Sequence, residues 1–124
     1  MKLVFDSSAW LLYFEGKERS LAVEKLLKDN LGEIVTTAAN LYEVKYLSLR
    51  NGRPAADAAV DFIRSNSEII PVSEELALQA AELRASHGLS AVDAFTLAAA
   101  QNLGAKIVSA DPHFAPFKKH LMKI

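Results

Sequence analysis

KLVFDSSAW, residues 2–10, runs three apolar side chains, Leu3, Val4 and Phe5, straight into an acid, Asp6. Two serines, Ser7 and Ser8, follow before apolar residues resume. KIVSADPHF, residues 106–114, has the same design: Ile107 and Val108 lead through Ser109 and Ala110 to Asp111. A short apolar run bounded by polar residues reads as a buried strand. Both stretches therefore predict a strand that delivers a carboxylate at or just past its last residue.

Working outward from these two strands, helices and strands alternate. A short helix is predicted over residues 8–14. A second follows over 18–29, with Leu21, Leu26 and Leu27 as its apolar stripe, ended by Asn30 and Gly32. EIVTT, from Glu33, is rich in β-branched residues and reads as a strand. ANLYEVKYLSLRNG is a helix closed by Asn51-Gly52. Pro54 suits the first turn of the next helix, which carries Val60, Phe62 and Ile63. EIIPV, from Glu68, is a third strand, and Pro71 places it at an edge. Two more capped helices follow, from Ser73 to Gly88 and from Ser90 to Gly104. The tail carries Pro112 and Pro116 and ends in a short strand over 121–124. This alternation predicts an α/β fold: a mainly parallel central sheet of four or five strands with helices on both faces.

At 124 residues the chain suits a single domain, 1–124, with room for a real core. Hydrophobic residues make up 51% and charged residues 23%, an ordinary globular balance. With no cysteine, disulfides and thiolate metal sites are excluded, and a cytoplasmic, reducing setting is expected. The run after Lys2 breaks at Asp6, so neither a signal peptide nor a membrane span is expected. A formal net charge of −1 does not advertise a strong non-specific nucleic-acid binder.

Two further acids stand where helices begin, Glu43 in NLYEV and Asp93 in SAVDAF. Each acid also has a structural explanation. Ser90-x-x-Asp93 is a capping-box pattern and Asn40-x-x-Glu43 resembles one. Asp6 can cap the helix after the first strand, and Asp111 before Pro112 is a good turn starter. Together they say more. In open parallel sheets, ligands bind beyond the carboxyl ends of the strands where strand order reverses. Four carboxylates converging there repel by about 4 kcal/mol per close pair at a surface-like dielectric. Lys2 and Lys106 begin their strands, at the opposite edge, and cannot neutralise them. A bound cation can, and an all-oxygen ligand set points to Mg²⁺ or Mn²⁺ rather than zinc.

These spaced elements resemble the PIN domain, the metal-dependent ribonuclease fold of VapC-type toxins. FDSSAW is similar to the family's opening acidic motif, LYEV carries its glutamate, and SAVDAFTLAAAQNLGAKIVSAD is similar to its later motifs. Ser109 stands where threonine is more usual and keeps the hydroxyl. The resemblance implies a PIN-like three-layer fold over nearly the whole chain. It implies an acidic, metal-holding and catalytic site of Asp6, Glu43, Asp93 and Asp111, with Ser7, Ser8 and Ser109 as polar supports. It also implies Mg²⁺- or Mn²⁺-dependent hydrolysis of RNA, an antitoxin partner whose tail blocks the site, and a homodimer.

Other residues have milder readings. His87, His113 and His120 form no recognisable pair or metal-ligand spacing, and His87 suits a helix C-terminus. Trp10, Tyr13 and Phe14 suit a core or a subunit contact better than base stacking. Lys17, Arg19, Arg50 and Arg53 read as a solvated surface that can also meet phosphates. Two other classes compete: a catalytically inactive PIN-like module that binds RNA or protein, and an Asp-nucleophile phosphotransfer protein. The second lacks the late lysine of receiver domains, and Ser8 stands where haloacid-dehalogenase-type phosphatases have a second aspartate.

Overall fold

The computed structural model describes the backbone of residues 1–124 and every side chain except that of Lys123. Five strands, β1 (Leu3–Phe5), β2 (Ile34–Thr37), β3 (Glu68–Ile70), β4 (Lys106–Ser109) and β5 (Leu121–Lys123), form one sheet in the order β3-β2-β1-β4-β5. Every pairing is parallel, so each connection must cross a face of the sheet. The crossings carry α1 (Ser7–Glu15), α2 (Ser20–Asp29), α3 (Ala38–Ser48), α4 (Arg53–Asn66), α5 (Glu74–His87) and α6 (Ala91–Leu103). The short strand at Glu68 is an edge, as Pro71 just beyond it predicts.

Strand alternation divides the core into two layers. Val4, Val35 and Ile107 point to one face, where they meet α5, α6 and Phe114. Leu3, Phe5, Ile34 and Val108 point to the other, where they meet residues of α1 to α4. Trp10 is fully buried in this second layer, with its ring 4.9 Å from that of Phe5, and its Nε1 donates to Thr36 Oγ1 at 3.0 Å. It is a core residue, and its indole is closed to any base. Tyr13 stacks on Phe62 at 5.0 Å, tying α1 to α4.

The apolar stripe predicted for α2 is out of phase at one position. Leu21 is 62% exposed, whereas Ser20, Val23 and Leu27 are buried. The helix starts at Ser20 rather than Glu18, and a side chain two positions before Val23 points away from the face that Val23 and Leu27 bury. Gly104 ends α6 with φ 61°, the left-handed turn that lets the chain enter β4 directly. No helix is long and apolar enough to cross a membrane among the described residues.

What matters for function is the centre of the sheet. From β1 the chain steps outward through β2 to β3, and on the other side β4 steps outward to β5. The order therefore reverses between β1 and β4, whose carboxyl ends lead into Asp6 and Asp111. A crevice at that edge is where an open parallel sheet builds its site.

Candidate metal centre

Asp6 caps α1. Its Oδ1 accepts from the backbone N–H of Ala9 at 2.9 Å and from Ser8 Oγ at 2.7 Å. Its Oδ2 accepts from Ser109 Oγ. The two serines close the crevice floor: Ser8 Oγ accepts from the N–H of Ala110 at 2.9 Å, and Ser109 Oγ accepts from that of Asp111 at 2.9 Å. Each hydroxyl has one proton, and both protons go to Asp6, which ties the β4 exit to the start of α1.

Asp6 is only 3% exposed, and burial pushes its carboxyl up to about 6. The hydrogen bonds from Ser109, Ser8 and Ala9 oppose that rise, and the charge of Asp93 adds to it. A carboxyl with a folded-state value above its unfolded one keeps a proton that the unfolded chain has already lost. Its contribution to stability is full below about pH 4 and is lost as the pH rises through about 6. The metal-free protein should therefore gain stability on acidification from pH 7 to pH 5, with Asp6 supplying on the order of 1 kcal/mol of it. Urea midpoints in chelator at the two pH values measure this. Asp6→Asn should flatten the profile, and an equal slope in both proteins would show that Asp6 does not titrate in this window.

Asp93 lies in the first turn of α6, 9% exposed, with its backbone N–H donating to the Ser90 cap at 3.2 Å. Burial raises its pKa, and the charges of Asp111 and then Glu43 raise it further. The Ser90 hydroxyl and His113 act the other way. Asp111 caps the short turn Pro112–Phe114, its Oδ1 accepting from the His113 N–H at 2.8 Å. Glu43 sits half-buried on α3, and no hydrogen bond or ion pair holds its carboxylate among the described residues. The charge of Asp93 reaches Asp6, and those of Asp111 and Glu43 reach Asp93.

Three features of this centre were not read from the sequence. His113, exposed at 73% of its side chain, brings Nδ1 to 3.0 Å from Asp111 Oδ1 and 3.7 Å from Asp93 Oδ2. The Asp111-x-His113 spacing was its only signal. Asn40 does not open α3: Thr37 caps that helix, and Asn40 lies buried in its first turn. Thr96, one turn after Asp93, is its buried partner, and no local pattern marks it. Ser7 touches no site carboxylate; its hydroxyl donates to Asn40 Oδ1 at 2.9 Å.

The donor set suits a divalent cation. One ligand atom each from Asp93, Asp111 and His113 lies within 4.8 Å of the other two. No lysine or arginine forms an ion pair with any of the four acids among the described residues. Lys2 pairs with Glu68 at 3.2 Å and Lys106 donates to the carbonyl of Lys119, so both strand-opening lysines are engaged elsewhere. Two carboxylates and an imidazole make a mixed oxygen and nitrogen donor set for a divalent cation, not the all-oxygen set expected from the sequence.

The family model of the PIN domain matches residues 3–119. The chain belongs to the PIN domain family. Solved PIN-fold structures superpose on nearly its full length. VapC20 of Mycobacterium tuberculosis, a toxin that cleaves the sarcin-ricin loop, has a TM-score of 0.79 at 23% identity, covering 94% of this chain and 95% of that one. A toxin–antitoxin complex from Klebsiella pneumoniae has a TM-score of 0.79 at 19% identity, covering 98% and 96%. VapBC2 of Rickettsia felis, bound to a DNA fragment from its promoter, has a TM-score of 0.75 at 18% identity, covering 99% and 98%. At these identities the likeness is one of fold. Comparison with curated protein sequences returns no match.

Proposed function

We propose that this PIN domain is a metal-dependent endoribonuclease, acting as one unit over residues 1–124, and the toxin of a toxin–antitoxin pair. The observation that carries the reading is the grouping of Asp93, Asp111 and His113 within 4.8 Å, with no lysine or arginine paired to the acids among the described residues. Asp93, Asp111 and His113 are the donors that would hold Mg²⁺ or Mn²⁺ directly, with Glu43 and Asp6 acting through water. When bound, the cation supplies positive charge to polarise a scissile phosphate and to acidify a water.

The chain's own residues do the rest. Glu43, whose carboxylate makes no hydrogen bond among the described residues, accepts the proton of the attacking water. Asp6 holds Ser8 and Ser109, which fix the Asp111 loop against α1. Because Asp6 is buried and both its oxygens accept hydrogen bonds, it is a poor nucleophile for phosphotransfer. The reaction is hydrolysis of an RNA phosphodiester that leaves a 5′-phosphate and a 3′-hydroxyl. An acidic pocket also suits an antitoxin tail that inserts a basic side chain. The solved VapBC assemblies agree with such a partner, and a homodimer accompanies this reading.

The test is RNA cleavage by the full-length protein during a Mn²⁺ and Mg²⁺ titration, repeated with its antitoxin added. Cleavage is expected only with metal and is expected to stop in the complex. Undiminished cleavage in chelator would refute the metal-dependent reading, and an equally active complex would refute the partner.

A further inference from the structure

A primary amide in a protein interior is costly unless all its hydrogen-bonding capacity is met. Asn40 is 1% exposed and meets all of it. Its Oδ1 accepts from the N–H of Ser7 at 3.2 Å and from Ser7 Oγ at 2.9 Å. Its Nδ2 donates to Thr37 Oγ1 at 3.0 Å and to Thr96 Oγ1 at 2.8 Å. Thr96 Oγ1 passes its own proton to the carbonyl of Val92 at 3.0 Å. All four polar side chains are buried.

The partners are not scattered. Ser7 opens α1, Thr37 caps α3 and Thr96 lies early in α6. Each of these helices presents one acid of the candidate centre at a short, fixed offset. Asp6 immediately precedes Ser7, Glu43 follows Asn40 by three positions, and Asp93 precedes Thr96 by three. Residues three apart on a helix share a face, so Asn40 lies on the Glu43 side of α3 and Thr96 on the Asp93 side of α6. Apolar residues of similar size would fill this space without loss of core packing. What they would not supply is a fixed angle between three helix ends whose charges repel.

We propose that Asn40 is a positioning residue for the hydrolysis, fixing the N-termini of α1, α3 and α6 relative to one another so that Asp93 stands with Asp111 and His113 to take a divalent cation, with Asp6 and Glu43 held beside them. The role rests on the nuclease reading above. Asn40 touches no substrate atom and acts through Ser7 and Thr96.

Removing Asn40 itself risks the fold, so the test uses Thr96, where a single bond to the amide can be deleted at constant shape. Thr96→Val should weaken Mn²⁺ binding, measured by calorimetry on the full-length chain, by about tenfold, the scale for partners that orient metal ligands. The same variant should lower kcat by a similar factor and leave KM for RNA unchanged. Thr96→Ser, which keeps the hydroxyl, should restore both. Ser7→Ala should behave like Thr96→Val, and Ile63→Val, a core trim on the buried face of α4, should change neither quantity. A folded Thr96→Val protein that binds Mn²⁺ as tightly as wild type overturns the proposal. So does a Thr96→Ser protein as impaired as Thr96→Val. A wild-type protein that neither binds Mn²⁺ nor cuts RNA defeats the nuclease reading instead, and the positioning role with it.

Discussion

Asp93→Asn is expected to abolish RNA cleavage while leaving a folded protein. The substitution removes one charge with almost no change in volume. It also spares the α6 cap, because the bond to Ser90 is made by the backbone N–H of residue 93. The charge itself is the hub of the candidate centre, felt by Asp6 and set against Asp111 and Glu43. Outer partners of metal ligands are worth about 10- to 100-fold, so loss of a direct ligand should exceed about 100-fold. Full activity in a folded, metal-saturated variant would remove Asp93 from the site.

A single 2′-deoxy nucleotide placed at the cleavage position is expected to leave cleavage intact. The residues gathered at the crevice are carboxylates and one imidazole, which suit activation of a water. Attack by the sugar hydroxyl is usually served by a pair of acid–base groups such as two histidines. Of the three histidines, only His113 meets the acids; His87 closes α5 and packs edge-on against Phe117 at 4.9 Å. The two mechanisms therefore differ by an all-or-none result on a chimeric substrate. A 2′,3′-cyclic phosphate product would contradict the water-based reaction.

Much of the fold could be read because its signals are local. Each strand is a short apolar run, α1, α3, α5 and α6 each have a side-chain cap, and Pro71 marks the edge strand. The α2 stripe was misread because leucine content was taken for phase: Leu21 faces outward and Ser20 inward. Asp6, Asp93 and Asp111 are marked locally, each leaving a strand or lying in the first turn of a helix, whereas Glu43 lies in the second turn of α3 rather than at its start. Asn40 was misread because Asn-x-x-Glu imitates a cap, while the true cap, Thr37, lies one turn earlier at the end of β2. Its bond to Thr96 spans 56 residues, and nothing in either neighbourhood announces it. His113 escaped notice because an exposed histidine on a turn is ordinary until its distance to Asp93 and Asp111 is known.

Convergence of the acids is the central claim, and it has a thermodynamic sign. In the metal-free protein, burial and the neighbouring charges of Asp111 and Glu43 disfavour the ionised Asp93 carboxylate. The unfolded chain largely escapes both. Neutralising Asp93 should then stabilise the metal-free protein by about 1 kcal/mol after solvent screening, a rise of roughly 3–5 °C for a chain of this size. A purely local role predicts the opposite, because a carboxylate in the first turn of a helix is favourable by about 0.3–1 kcal/mol. Metal at about 100 times its dissociation constant should add about 2.7 kcal/mol to the wild type and much less to the variant. Thermal melts of wild type and Asp93→Asn, in chelator and in Mn²⁺, measure all of this at once. The variant is expected to melt higher in chelator, and the wild type is expected to gain more from metal. A variant that melts lower in chelator, with neither protein shifted by metal, would contradict the claim and leave Asp93 as a residue of the α6 N-terminus alone.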